Sequence, residues 1–116
     1  MELTTAAQQQ QIESSEVFRN FIDSLDSEVT KRSYRYSINY FMSFLNIGRY
    51  EDLVSLNNDT KKLEGFIRDY ITYMRQDRKL SPATVSVRIA AISHFYEMND
   101  VLINWRKLKK IQGETP

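Results

Sequence analysis

Residues 80–99, LSPATVSVRIAAISHFYEMN, decide the fold. Ser81 followed by Pro82 is a helix start: the serine side chain accepts from an orphan backbone N–H, and proline at the first helical position has no N–H to satisfy. Val85, Ile89, Ile92 and Tyr96 then fall at i, i+4, i+7 and i+11, with Phe95 beside them. That spacing predicts a helix over about 82–99 with one face turned to a core. The opposite side carries Ala83, Ser86, Val87, Ala90 and Ser93, nearly all small. Small residues allow close approach to another helix or to a nucleic-acid backbone, and helix packing is the commoner use. Pro82 is the one proline before the terminal Pro116, only three glycines occur, and Asn-Gly and Asp-Gly are absent. Sheets need such turn residues, so their scarcity favours a few long helices.

Working outward, the same logic yields an all-α, compact bundle of four main helices, at about 15–25, 27–46, 60–78 and 82–99, plus a short one at about 104–111. Ser14 or Ser15 caps the first, which ends near Asp26 and carries Val17, Phe18, Phe21, Ile22 and Leu25 at helical spacing. Ser27 caps the second, whose inward face is Tyr34, Ile38, Phe41 and Leu45, and Gly48 is the expected C-terminal cap. Residues 49–58 read as a short connection with room for one helical turn at 51–55. Asn58 or Asp59 caps the third, with Leu63, Ile67, Tyr70 and Met74 inward and Gly65 weakening its first turn. Asn104 caps the last, and Trp105 reads as a core or hinge anchor. Residues 1–13 are Gln-rich and too poor in apolar groups to order, so they read as a disordered tail before a helical domain at 14–111. Residues 112–116 read as the start of a linker.

The composition excludes much chemistry. A chain of 116 residues is one domain and can bury a core without a disulfide or metal staple. No cysteine is present, which removes disulfides, thiolate metal sites and cysteine nucleophiles. A single histidine leaves neither a histidine-based metal site nor a His-driven triad. His94 reads as a solvated residue on the outer side of its helix. No P-loop, GxGxxG, HExxH or GxSxG occurs. The expectation is therefore no catalytic residue, no metal and no cofactor. No apolar run approaches the ~20 residues of a membrane span, and no signal peptide is seen, so a cytoplasmic setting is expected, though any soluble compartment fits these observations equally well.

The net charge of +1 hides a segregation: residues 1–26 carry −4, 27–49 carry +3, 50–77 carry −2 and 78–116 carry +4. If the two positive segments meet in space, one side of the molecule becomes a localised polyanion contact. Charge alone favours the plainer reading, scattered solvated bases, since a pI near 7.9 is well short of a strongly basic domain. Both positive segments also contain a helix start rich in hydroxyls and near bases, Ser27 to Ser33 and Arg78 to Thr84. Backbone N–H groups at helix starts, hydroxyls and bases are what phosphate binding uses.

The stretch at 27–45, SEVTKRSYRYSINYFMSFL, resembles the second helix of the core-binding domain of tyrosine recombinases, the phage integrase, Xer and Cre type. The stretch at 80–99 resembles the fourth helix of the same domain, with its Ser-Pro-x-Thr start, later Arg and Phe-Tyr close. The ending at 104–114, NWRKLKKIQGE, looks like an archaeal-type lead into a catalytic domain. The resemblance covers about 15–111 and implies a SAM-like bundle forming half of a C-shaped clamp on double-stranded DNA, its second and fourth helices against the major groove. Carried over by position, it implies DNA contacts from Thr30, Lys31, Arg32, Ser33 and Arg35 on one helix. Around the other it implies Arg78, Lys79, Ser81, Ala83, Thr84, Val87 and Arg88, with Lys107, Lys109 and Lys110 following the backbone. Ala83 and Val87 are apolar, so base reading there would be methyl contact or none. The family's catalytic His-x-x-Arg and tyrosine nucleophile lie in a separate domain, and no His-x-x-Arg occurs here. Implied partners are duplex DNA and other recombinase protomers, with the isolated domain monomeric. The alternatives are a helical protein–protein interaction module and a small helix-turn-helix regulator.

Overall fold

The computed structural model describes residues 15–112. The expected tail at 1–13, the alternative cap Ser14 and the linker residues 113–116 lie outside the described residues. Six helices follow one another: α1 (Glu16–Asp23), α2 (Glu28–Leu45), α3 (Tyr50–Ser55), α4 (Thr60–Thr72), α5 (Pro82–Met98) and α6 (Trp105–Gln112). A 3-10 turn, Leu56–Asn58, links α3 to α4, and a π-helical turn, Tyr73–Asp77, extends α4. The expected all-α bundle is what forms.

Five starts are fixed by side-chain caps, among them Asn104, whose Oδ1 accepts from the Lys107 N–H at 3.4 Å before α6. Ser15, Ser27, Asp59 and Ser81 each accept from the backbone N–H three residues on, at 3.2, 3.4, 3.2 and 3.2 Å. Each such cap contributes about 1 kcal/mol. Buried Ser15 also donates to Glu51 Oε1 at 3.0 Å, which ties the start of α1 to α3.

The core is built around α5. It packs on α2, α1, the π-helical turn and α6, while α6 also lies on α4. Val85, Ile89, Ala91, Ile92, Phe95 and Tyr96 of α5 are buried against Phe21 and Ile22 of α1, Ile38, Phe41 and Met42 of α2, and Leu63, Ile67, Tyr70 and Ile71 of α4. The Tyr96 hydroxyl donates to the Leu53 carbonyl at 3.0 Å, so this buried polar tip is satisfied. Asn99 closes the other end. Its amide donates to the carbonyls of Val17 at 3.2 Å and Phe95 at 2.9 Å, and its oxygen accepts from Asn20 at 3.1 Å.

Several boundaries differ from the sequence reading. Helix α1 stops at Asp23, because the Leu25 N–H turns back to the Ile22 carbonyl. Helix α2 is closed by Asn46, not Gly48: Asn46 takes the left-handed conformation, φ 57°, and the Ile47 N–H bonds the Met42 carbonyl at 2.9 Å. Asparagine tolerates that conformation because its short polar side chain bonds locally. The connection at 49–58 contains a whole helix, α3, and its Tyr50 and Leu53 are core residues. The third expected helix is α-helical only to Thr72. Beyond it the Arg78 N–H reaches the Tyr73 carbonyl, five residues back. The wider turn keeps Met74 buried while Tyr73 lies against Phe44, ring centroids 5.0 Å apart.

Gly65 lies within α4 and a Cβ added there meets nothing within 4 Å. Gly65→Ala is therefore expected to raise the urea midpoint, by about 0.5–1 kcal/mol of stability. The tyrosines set an alkaline limit. Burial pushes the Tyr50 phenol from 10.0 up to about 12, with Arg35 pulling it the other way, and burial shifts Tyr96 in the same direction. Above pH 10.0 the unfolded chain releases these protons while the folded protein holds the Tyr50 proton until about 12. The unfolded state then binds fewer protons, so stability falls as pH rises through that window. Denaturation midpoints measured across it should drop, and Tyr50→Phe should flatten the drop.

Candidate nucleic-acid interface

Packing α5 on α2 brings the two positive segments together and leaves an open cleft of about 520 Å³ between the helices. From α2 it is lined by Val29, Arg32, Ser33, Tyr36 and Ser37. From α5 it is lined by Ala83, Thr84, Val87 and Arg88. Two arginines and no carboxylate stand in this lining. The first turn of each helix also contributes to it, Val29 on α2 and Ala83 on α5. The positive ends of two helix dipoles therefore lie at one end of the cleft, where negative charge is favoured.

The two arginines are held differently. Arg32 is exposed on α2. Arg88 is half-buried: its guanidinium lies 4.0 Å from the centroid of the Tyr40 ring, and its Nη1 donates to the Tyr70 hydroxyl at 3.4 Å. Burial raises the Tyr70 phenol, and the Arg88 hydrogen bond and charge oppose that shift. The hydroxyls are mostly occupied. Ser37 donates to the Ser33 carbonyl at 2.9 Å, and Thr84 Oγ1 shares a 2.9 Å hydrogen bond with Ser81 Oγ. Apolar and aromatic surface is left open: Val29 is 73%, Tyr36 59%, Tyr40 53% and Val87 44% exposed, too much for residues with a core role.

Of the residues named from sequence, Arg32, Ser33, Ala83, Thr84, Val87 and Arg88 come together in the cleft. The others do not line it. Thr30 is half-buried beside the Ser27 cap, and Lys31 pairs with Glu28 at 3.5 Å. Arg35 lies over the Phe18 ring, 5.5 Å from its centroid, on the α1 side. Arg78, Lys79 and Ser81 are exposed at the approach to α5, with Lys79 left-handed at φ 52°. Lys107, Lys109 and Lys110 are exposed on α6, which packs on α4. His94 is not the solvated residue expected. Its Nε2 is 2.8 Å from Ser24 Oγ and 3.1 Å from the Phe21 carbonyl, and its ring packs on Phe21 and Tyr34. Sequence reading missed Val29, Tyr36, Ser37 and Tyr40. The signal was present, since 29, 33, 36 and 40 form a second helical stripe beside the core stripe of 34, 38, 41 and 45.

A family model described as the phage integrase SAM-like domain matches residues 14–98. The chain belongs to that family. The match spans α1 to α5 and so contains both walls of the cleft. It stops before residues 104–114, and the archaeal-type likeness of that ending rests on those residues alone. No curated protein and no solved structure matches the chain. In this integrase domain no described helix is long and apolar enough to cross a membrane.

The different holds on the two arginines lead to different stability effects. Arg32→Glu should leave the thermal midpoint near that of the parent, within about 0.5 kcal/mol. Arg88→Glu removes a ring contact and a hydrogen bond and sets a carboxylate beside a phenol, and should cost about 2 kcal/mol. Thermal melts of the two variants check this.

Proposed function

We propose that this integrase domain grips duplex DNA through the α2/α5 cleft, as the binding half of a clamp that positions a separate catalytic domain for integration or recombination. The observation that carries the reading is the acid-free cleft, with Arg32 and Arg88 on its walls and the first turns of two helices in its lining. Phosphates are met by exposed Arg32 and by Arg78 and Lys79 at the approach to α5. Thr30, Lys31, Ser33, Arg35, Ser81 and Thr84 flank these contacts, and Ala83 and Val87 face base edges. Lys107, Lys109 and Lys110 follow the backbone from α6. The chain contributes binding, and strand cleavage belongs to another domain. The setting is cytoplasmic, the isolated domain is a monomer, and other protomers join it on DNA.

A second reading draws on the exposed Val29, Tyr36 and Val87. Apolar surface of this kind also suits a protein partner. Salt dependence separates the two readings.

With about five phosphate-neutralising bases, the slope of log K against log salt should be about −4 to −5 on mixed-sequence duplex. Affinity unchanged from low to physiological salt would sink the DNA reading. Arg32→Glu should weaken binding by about 1–3 kcal/mol. Lys61→Glu and Lys62→Glu, exposed at the start of α4, should cost much less, because a Debye length of ~8–10 Å screens distant charges. Equal losses at all three positions would mean diffuse attraction and would discard the cleft.

A further inference from the structure

Arg88 is a half-buried cation, and among the described residues no carboxylate pairs with it. One Nη1 hydrogen bond to Tyr70 accounts for one of its five N–H donors, and the Tyr40 ring covers one face of the guanidinium. The remaining donors have no protein acceptor among the described residues, and the residue stands in the wall of the cleft. These donors are open to solvent, since among the described residues no buried side-chain nitrogen or oxygen lacks a partner, so an incoming acceptor pair would replace water on a fork that is already held. Loss of side-chain entropy has already been incurred in the free protein, so docking that pair costs little further ordering.

Two groups on duplex DNA present paired acceptors: a phosphate and the O6/N7 edge of guanine. The neighbours of Arg88 distinguish them. Exposed Val87 stands next to it in the chain, and exposed Val29 lines the same cleft nearer the start of α2. A phosphate is strongly hydrated and disfavours apolar walls, whereas a base edge is flat and partly apolar. Arg32, exposed and free to move, suits the phosphate instead. We infer that Tyr40 and Tyr70 are positioning residues that hold Arg88 for a bidentate contact with a guanine edge in the major groove. The inference rests on the DNA reading of the cleft and names the base chemistry it selects.

The test compares a mixed-sequence duplex with the same duplex carrying 7-deazaguanine, which lacks the N7 acceptor. The parent chain should bind the 7-deaza duplex about fivefold more weakly, with the same salt slope on both. Arg88→Lys and Tyr40→Leu should bind both duplexes alike, while Tyr40→Phe, which keeps the ring, should still discriminate. Tyr40 is exposed, so Tyr40→Leu should fold even if a change at Arg88 does not, and circular dichroism checks both. Salt-dependent binding that is equal on the two duplexes for the parent would overturn the guanine contact and leave the DNA reading standing. Discrimination retained by Tyr40→Leu would overturn the positioning role. A uniform loss on both duplexes, with the parent's ratio kept, would reduce Tyr40 to a structural residue. No salt-dependent binding to either duplex would remove the inference and the DNA reading together.

Discussion

The packing of α5 on α2 is the constraint on which the rest of the molecule depends. Helix α5 has a broad apolar side, from Val85 to Tyr96, and must bury it on several neighbours at once. Its buried face takes α1, α2 and the α4 segment as partners, and its small-residue side is left outward. The same contact brings a positive segment at 27–49 beside another at 78–116. Burial of apolar surface, which is indifferent to charge, thus sets two arginines and two helix N-termini around one cleft. Removing that packing would lose the core and the cleft together.

Aromatic rings give this arrangement its rigidity. Phe18, Phe21, Tyr50, Phe95 and Tyr96 form a chain of ring contacts between α1, α3 and α5, with centroids 4.9 to 6.4 Å apart. Phe41, Phe44, Tyr70 and Tyr73 form a second group between α2 and the α4 segment. The second group reaches the surface through the Tyr70 hydroxyl, which accepts from Arg88. A core ring and a cleft cation are therefore mechanically connected, and the wall of the cleft inherits the order of the interior.

Helix existence was legible in the sequence wherever a cap preceded a long apolar period, as at Ser27, Asp59 and Ser81. The same pattern placed most core residues of α4 and α5 and, in α2, Ile38 and Phe41, while Tyr34 and Leu45 are only half-buried and buried Met42 escaped it. What escaped were features decided by partners far along the chain. Helix α3 is only six residues long, too short for a period to show, and it forms because Tyr50 and Leu53 find the core. Asn46 displaced Gly48 as a cap because the Ile47 N–H can reach the Met42 carbonyl only when the turn begins there. His94 looked outward on its own helix, but α1 lies across that side. At the cleft, the arginines and hydroxyls were readable as residue types. The Tyr40–Arg88 stack was not, because it joins two helices 48 positions apart in the sequence.

The π-helical turn at Tyr73–Asp77 has a consequence for how this fold tolerates change in chain length. A π turn holds one residue more than the α turn it replaces. Here the surplus residue sits after Leu63, Ile67 and Tyr70 have been placed and before Ser81 starts α5. Losing that residue would restore ordinary α-helical winding up to the left-handed Lys79 and leave Leu63, Ile67 and Tyr70 in place, but it would rotate buried Met74 and the Tyr73 ring that packs on Phe44. It would also change the direction in which the chain leaves α4, and with it the path of Arg78 and Lys79 into the first turn of α5. The turn thus couples the rim of the cleft to its floor: a change of length there re-aims Arg78 and Lys79 but also moves buried Met74, so descendants of this sequence could alter the rim by this route only with a matching change in the core.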